Sequence, residues 1–197
     1  EAIRLFLFTG NTVFIIGADE RQIAYAVKNK FKEIKGQEID IGKEYLEKLK
    51  TLGFKGWRWD VAKGFAASYF GNYIGASQPY YSVGENWDGN ANNLKNWINA
   101  TYSGGANISG AFDFALYYTL SSAVKTNNYG SFSGSAVPGL AGQFGFSEKA
   151  VTFIDNHDTF AHDADYSSGN NIMKGYAYIL THPGIPCVRA SPYYGGT

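Results

Sequence analysis

Five short apolar segments, Gly56–Asp60, Tyr80–Glu85, Gly110–Phe114, Ala150–Ile154 and Ile185–Val188, recur along the chain. Each is separated from the next by more than a dozen residues. That spacing is too long for hairpins and suits parallel strands joined by crossovers. The clearest connector is 170–181, where Ile172, Tyr176, Ile179 and Leu180 fall on one side and Pro183 lies just beyond. The pattern predicts an α/β sheet or barrel.

The opening has a different character. Residues 1–55 hold ten basic and eight acidic side chains, and the other 142 residues hold only seven and nine. Ile3–Phe8 and Thr12–Ile16 flank Thr9-Gly10-Asn11 and predict a β-hairpin. The first run is interrupted by Thr9–Thr12, and no small-residue cleavage site follows, so it does not read as a signal peptide. Asp19 is placed to cap a helix to about Lys35, with Ile23, Val27, Phe31 and Ile34 on one face and Gly36 ending it. A second helix is expected over 40–52, with Ile41, Tyr45, Leu49 and Leu52 facing inward and Gly53 stopping it. These readings divide the chain into an unassigned hairpin-plus-helix opening, 1–38, and a body, 39–197.

Whole-chain charge excludes some classes. Lysine plus arginine number 17, as do aspartate plus glutamate, so no net field favours nucleic acid or an anionic membrane. Fifteen Tyr, 14 Phe and 4 Trp are too much apolar surface for a disordered chain. The single cysteine, Cys187, excludes an internal disulfide framework and reads as an inert core thiol.

In a charge-poor body each acid is a candidate for a role. Asp60, Glu85 and Asp158 fall at or just past the C-terminal ends of strand candidates, the edge on which parallel barrels build their chemistry. Asp60 and Glu85 are one strand–helix–strand step apart, so adjacent strands would bring them to one rim. Two such carboxyls can approach ~5 Å, the separation of a retaining glycosidase pair. Alternation in Gly56-Trp57-Arg58-Trp59-Asp60 puts Arg58 on the same face as Asp60, where its charge would hold Asp60 ionised. Glu85 would need a drier site, so that it carries a proton to donate. Any one of these acids could equally be a helix cap or an ion-pair partner.

Three motifs add a resemblance. Gly53-Phe54-Lys55-Gly56-Trp57-Arg58-Trp59-Asp60-Val61-Ala62-Lys63-Gly64 resembles the fourth-strand motif of the α-amylase family of glycoside hydrolases. Gly84-Glu85-Asn86-Trp87-Asp88 resembles its fifth-strand motif, and Phe153-Ile154-Asp155-Asn156-His157-Asp158-Thr159 its seventh. The run Gly175–Cys187 is similar to that of plant and related bacterial α-amylases. The resemblance spans roughly 40–188.

It implies a fold and a site. The fold would be an incomplete (β/α)8 TIM-type barrel, about strands 4–8, preceded by the hairpin and two helices. Asp60 would be the nucleophile, Glu85 the general acid/base and Asp158 the transition-state stabiliser. Arg58 would tune Asp60, while Lys63 and His157 would bond substrate hydroxyls. The substrate would be an α-1,4-glucan such as starch or maltooligosaccharide, and the setting extracellular or secreted. Calcium is implied through the backbone carbonyl of Gly64. The third-strand Asp-x-x-x-Asn-His motif, which would supply another calcium ligand, is absent, and the three histidines are His157, His162 and His182.

Other residues carry weaker signals. Trp59 and Trp87 adjoin Asp60 and Glu85 and are candidates to stack on sugar rings, whereas Trp57 and Tyr80 read as core. Asp113 matches a sixth-strand family position and reads as structural. His162, Asp163 and Asp165 read as a solvated loop over the cleft, and His182 as a favourable helix-end residue. Two rival readings stand beside the enzyme: a carbohydrate-binding or inactive remnant, and a non-catalytic α/β scaffold.

Overall fold

A computed structural model describes residues 41–102, 109–134, 137–159 and 171–189. The predicted hairpin, the 19–35 helix, and His162, Asp163 and Asp165 lie outside the described residues.

Each strand candidate contains a strand: β1 (Gly56–Trp59), β2 (Tyr81–Gly84), β3 (Gly110–Phe112), β4 (Ala150–Thr152) and β5 (Ile185–Pro186). They form one sheet in chain order, and every neighbouring pair is parallel. Helix α1 (Ile41–Thr51) precedes β1. The crossovers are α2 (Ala67–Ser77), α3 (Ala91–Ala100), α4 (Phe114–Thr126) and α5 (Asn171–Thr181). The fold is thus α/β with a parallel sheet, and strand–helix alternation was the signal that predicted it.

Period-two alternation divides each strand between two faces. On one face Ala111 and Ala150 pack against Phe70, Ile74, Leu94, Trp97 and Ile98 from α2 and α3. Each fully buried large apolar side chain contributes about 1.5–3 kcal/mol, and Ile74, Leu94 and Ile98 have no exposure at all. Register places Arg58 beside Val83, and Phe112 beside Val151, on the other face. Helix α5 seals the far flank, where Ile179 packs with Ile154 and with Leu116, Leu120 and Val124 of α4.

Helix α1 differs in detail from expectation. Its buried residues include Leu46 and Leu49, which pack on Trp57, whereas Leu52 is 63% exposed. The reason is the stop itself. Gly53 takes a left-handed φ of 96°, and the chain turns toward β1 at Leu52. Tyr80, expected in the core, is 89% exposed because β2 begins one residue later. Cys187 is also exposed rather than buried. No described helix is long and apolar enough to cross a membrane.

Candidate active site

The rim after β1 and β2 is built by backbone pairing that outlasts the strands. The Glu85 amide donates to Trp59 O at 2.8 Å, and the Ala62 amide returns a bond to Glu85 O at 3.1 Å. Between them Val61 is held at φ 48°, ψ 38°. A β-branched residue in that left-handed region is strained. The turn aims its amide at Glu85 Oε2, 3.4 Å away.

Arg58 lies under this rim and bonds both candidate carboxylates. Nη1 donates to Asp60 Oδ1 at 2.6 Å and Nη2 to Glu85 Oε1 at 2.5 Å. The guanidinium carbon sits 5.7 Å from the centroid of the Phe112 ring, a cation–π distance. Glu85 is 3% exposed, whereas the Asp60 side chain keeps 39% exposure. Burial pushes the Glu85 carboxyl above the usual carboxylate range. Arg58 and the Val61 amide pull the other way, and the hydrogen-bonded Asp60 carboxyl adds to the rise. One guanidinium therefore gathers two carboxyls with different surroundings, one open and one dry.

The neighbours are placed as follows. Lys63 donates to Trp87 O at 2.9 Å and pairs with Asp88 at 3.4 Å, so it braces the loop after β2. Burial opposes ionisation of Asp88, but the Asn90 amide, Asn93 and Lys63 outweigh it and hold its carboxyl below the usual range. Trp87 is half-buried, with its ring 4.5 Å from that of Phe114. Trp59 belongs to the opposite face. It packs against Phe70 and Tyr73, and its Nε1 donates to Ser82 Oγ at 2.6 Å. It is half-buried against the sheet–helix layer, turned away from Asp60 by the strand alternation. Trp57 is core, as expected, with Nε1 bonded to Ser77.

His157 and Asp158 follow β4 on the same edge of the sheet. Both are exposed, and His157 Nε2 lies 3.2 Å from Asp158 Oδ2. The structure brings Arg58, Asp60 and Glu85 together, and pairs Asp158 with His157. Asp113 is fully buried and structural in geometry. Its carboxylate accepts the amides of Leu116, Leu140 and Ala141, each at 2.9 Å, capping α4 and pinning the loop that follows it. Burial nonetheless raises its pKa. His182 stacks on Tyr178 at 3.8 Å and reaches the Tyr178 carbonyl.

Sequence reasoning missed one contributor. Phe112 supports Arg58 from two strands away, and the alternation on β3 could have found it. Tyr81, also an aromatic candidate, starts β2 opposite Gly56, at the end of the sheet away from this rim, and burial pushes its phenol up to about 12.

Gly64, the position that the resemblance ties to calcium, ends the short helical turn Ala62–Gly64 after β1. Among the described residues no group of three His, Cys, Asp or Glu could hold a metal.

Comparison with known proteins agrees with this architecture. The chain is 41% identical over 160 residues to probable α-amylase 2 of Arabidopsis thaliana, covering 73% of this chain and 37% of that one. It is 32% identical to an α-amylase of Geobacillus stearothermophilus, covering 75% and 27%. A crystal structure of an Anoxybacillus α-amylase superposes with a TM-score of 0.53 at 19% identity, covering 75% of this chain and 33% of that one. The chain thus spans well under half the length of these relatives. Residues 1–55 match the profile of the KAP family P-loop domain. That match falls on the charge-dense opening, and the stretch holds no Gly-x-x-x-x-Gly-Lys-Ser/Thr sequence.

Proposed function

The body of this chain belongs to the α-amylase family, and on that premise we propose that it carries the catalytic half of a retaining α-glucan hydrolase. The five strands correspond to strands 4–8 of a (β/α)8 barrel, within a unit spanning 39–197. The substrate is an α-1,4-glucan, starch or maltooligosaccharide, and the protein acts outside the cell.

Asp60 is the nucleophile. Its open carboxylate attacks the anomeric carbon while the Glu85 carboxyl gives its proton to the departing glycosidic oxygen. A covalent glycosyl ester on Asp60 results. Glu85, now ionised, takes a proton from water, which attacks the same carbon and frees Asp60. Asp158 steadies the oxocarbenium-like transition state, and His157 and Lys63 hold sugar hydroxyls. Trp87 offers the stacking surface, a part Trp59 cannot share from the opposite face.

The observation that carries this reading is the Arg58 bridge. It binds a half-exposed carboxyl and a buried one of raised pKa through one guanidinium, the asymmetry that separates nucleophile from acid. Reducing-sugar release from soluble starch tests it. The wild-type chain is expected to release sugar, and Asp60→Asn and Glu85→Gln to lower the rate by about 10²–10⁴-fold. Release equal in the variants, or none from the wild type, overturns the enzymatic reading. Affinity for maltooligosaccharide without turnover would assign a binding remnant instead.

A further inference from the structure

Asp155 stands immediately before the Asn156-His157-Asp158 turn, yet its side chain is only 5% exposed. The Tyr176 hydroxyl, from the middle of α5, donates to its Oδ1. Arg189, just beyond β5, pairs with its Oδ2 at 3.5 Å. One buried carboxylate thus joins the end of β4, the helix that crosses over from it, and the exit of the strand that pairs with it. Burying a carboxylate is costly unless it is paired and hydrogen-bonded, and here both partners come from separate elements.

On the other side of Asp155 the turn is closed locally. The Asn156 side chain accepts the amides of Asp158 and Thr159 at 2.9 and 2.8 Å, and the Asn156 amide donates to Thr159 Oγ1 at 2.9 Å. Thr159 is buried, whereas the side chains of His157 and Asp158 are 66% and 48% exposed and bond to each other. Their placement on the rim is therefore set by the backbone of the turn. Its fixed end is Asp155.

We propose that Asp155 is a positioning residue, which acts through Tyr176 and Arg189 to hold His157 and Asp158 at the rim. This rests on the proposed site, because its catalytic consequence requires Asp158 to meet substrate. Within that site Asp155 touches no sugar; it sets where Asp158 can reach.

The test uses the full 197-residue chain with Asp155→Asn and the gentler Tyr176→Phe, which deletes a single hydroxyl. Amide hydrogen exchange is read at Asn156, Asp158 and Thr159 and, for reference, across β1–β3. Exchange in the turn is expected to quicken about tenfold in either variant, with the strands unchanged, the effect of losing one buried hydrogen bond locally. In starch hydrolysis kcat is expected to fall about as much while KM stays within twofold, the signature of a group acting mainly in the transition state. Turn amides that stay at the wild-type rate in both variants overturn the proposal. So does an equal quickening throughout the sheet, which would make Asp155 a general stability residue. If the wild type releases no sugar, the reading of the site fails by itself, and the amide pattern still decides the role of Asp155.

Discussion

Arg58 has one guanidinium and two carboxyl groups to satisfy, and this sets the electrostatics of the rim. Glu85 sits on the dry side, so in the folded chain it holds its proton to a higher pH than in the unfolded chain. A raised pKa contributes stability that is complete below the ordinary carboxylate value and is lost as pH rises through the folded one. Asp113, also raised by burial, acts with the same sign. Urea unfolding at a series of pH values should therefore show wild type losing ground to Glu85→Gln as pH climbs through and above the ordinary carboxylate range. The difference is expected to move in that one direction throughout; a difference independent of pH would refute the raised pKa. Much of this was legible in Gly-Trp-Arg-Trp-Asp, where alternation puts Arg58 and Asp60 on one face. The same alternation puts Trp59 on the other, so its reading as a sugar platform confused nearness in sequence with a shared face. The bond from Arg58 to Glu85 was not legible, since a strand pattern gives the side of a residue but not its reach across to the next strand.

At the scale of elements, the short strands work because the layer behind them is tight. Gly84, the last residue of β2, lies against the indole of Trp97 on α3; a Cβ there would stand 2.1 Å from its nearest ring atom. Trp97 is 8% exposed and wedged between strand and helix, also touching Phe70, so the ring has little room to yield. Gly84→Ala should therefore lower stability by about 1–3 kcal/mol through overpacking. A lower urea midpoint at unchanged m-value would register it, and an unchanged midpoint would show that the indole can move. Strand existence was readable here from apolar runs, and crossover helices from spacing. The ends were less so, because they depend on tertiary pairing: Tyr80 reads as strand by composition but falls outside the register that starts at Gly56 and Tyr81. Asp113 shows the opposite case. Its structural character was read at a position matching the family's sixth strand, while its grip on Leu140 and Ala141 joins residues 27 and 28 positions away and left no local trace.

Across the molecule, burial falls toward one side of the sheet. Successive strands meet at the rim through equivalent bonds: the amides of Glu85, Asp113 and Cys187 donate to Trp59, Val151 and Thr152 carbonyls, each at 2.8 Å. Their surroundings differ. Glu85 and Asp113 are 3% and 0% exposed, whereas Cys187 and both residues of β5 are exposed. An apolar run such as Ile185–Val188 reads as core in sequence, because composition cannot reveal whether anything covers the face it presents. Since the three bonds match in length, any difference in their exchange reports local opening and not bond geometry. Native-state hydrogen exchange should therefore find the Cys187 amide at least about tenfold faster than those of Glu85 and Asp113. Equal protection at all three would mean that β5 opens only with the whole sheet, and that its exposed face is held as firmly as the buried strands beside it.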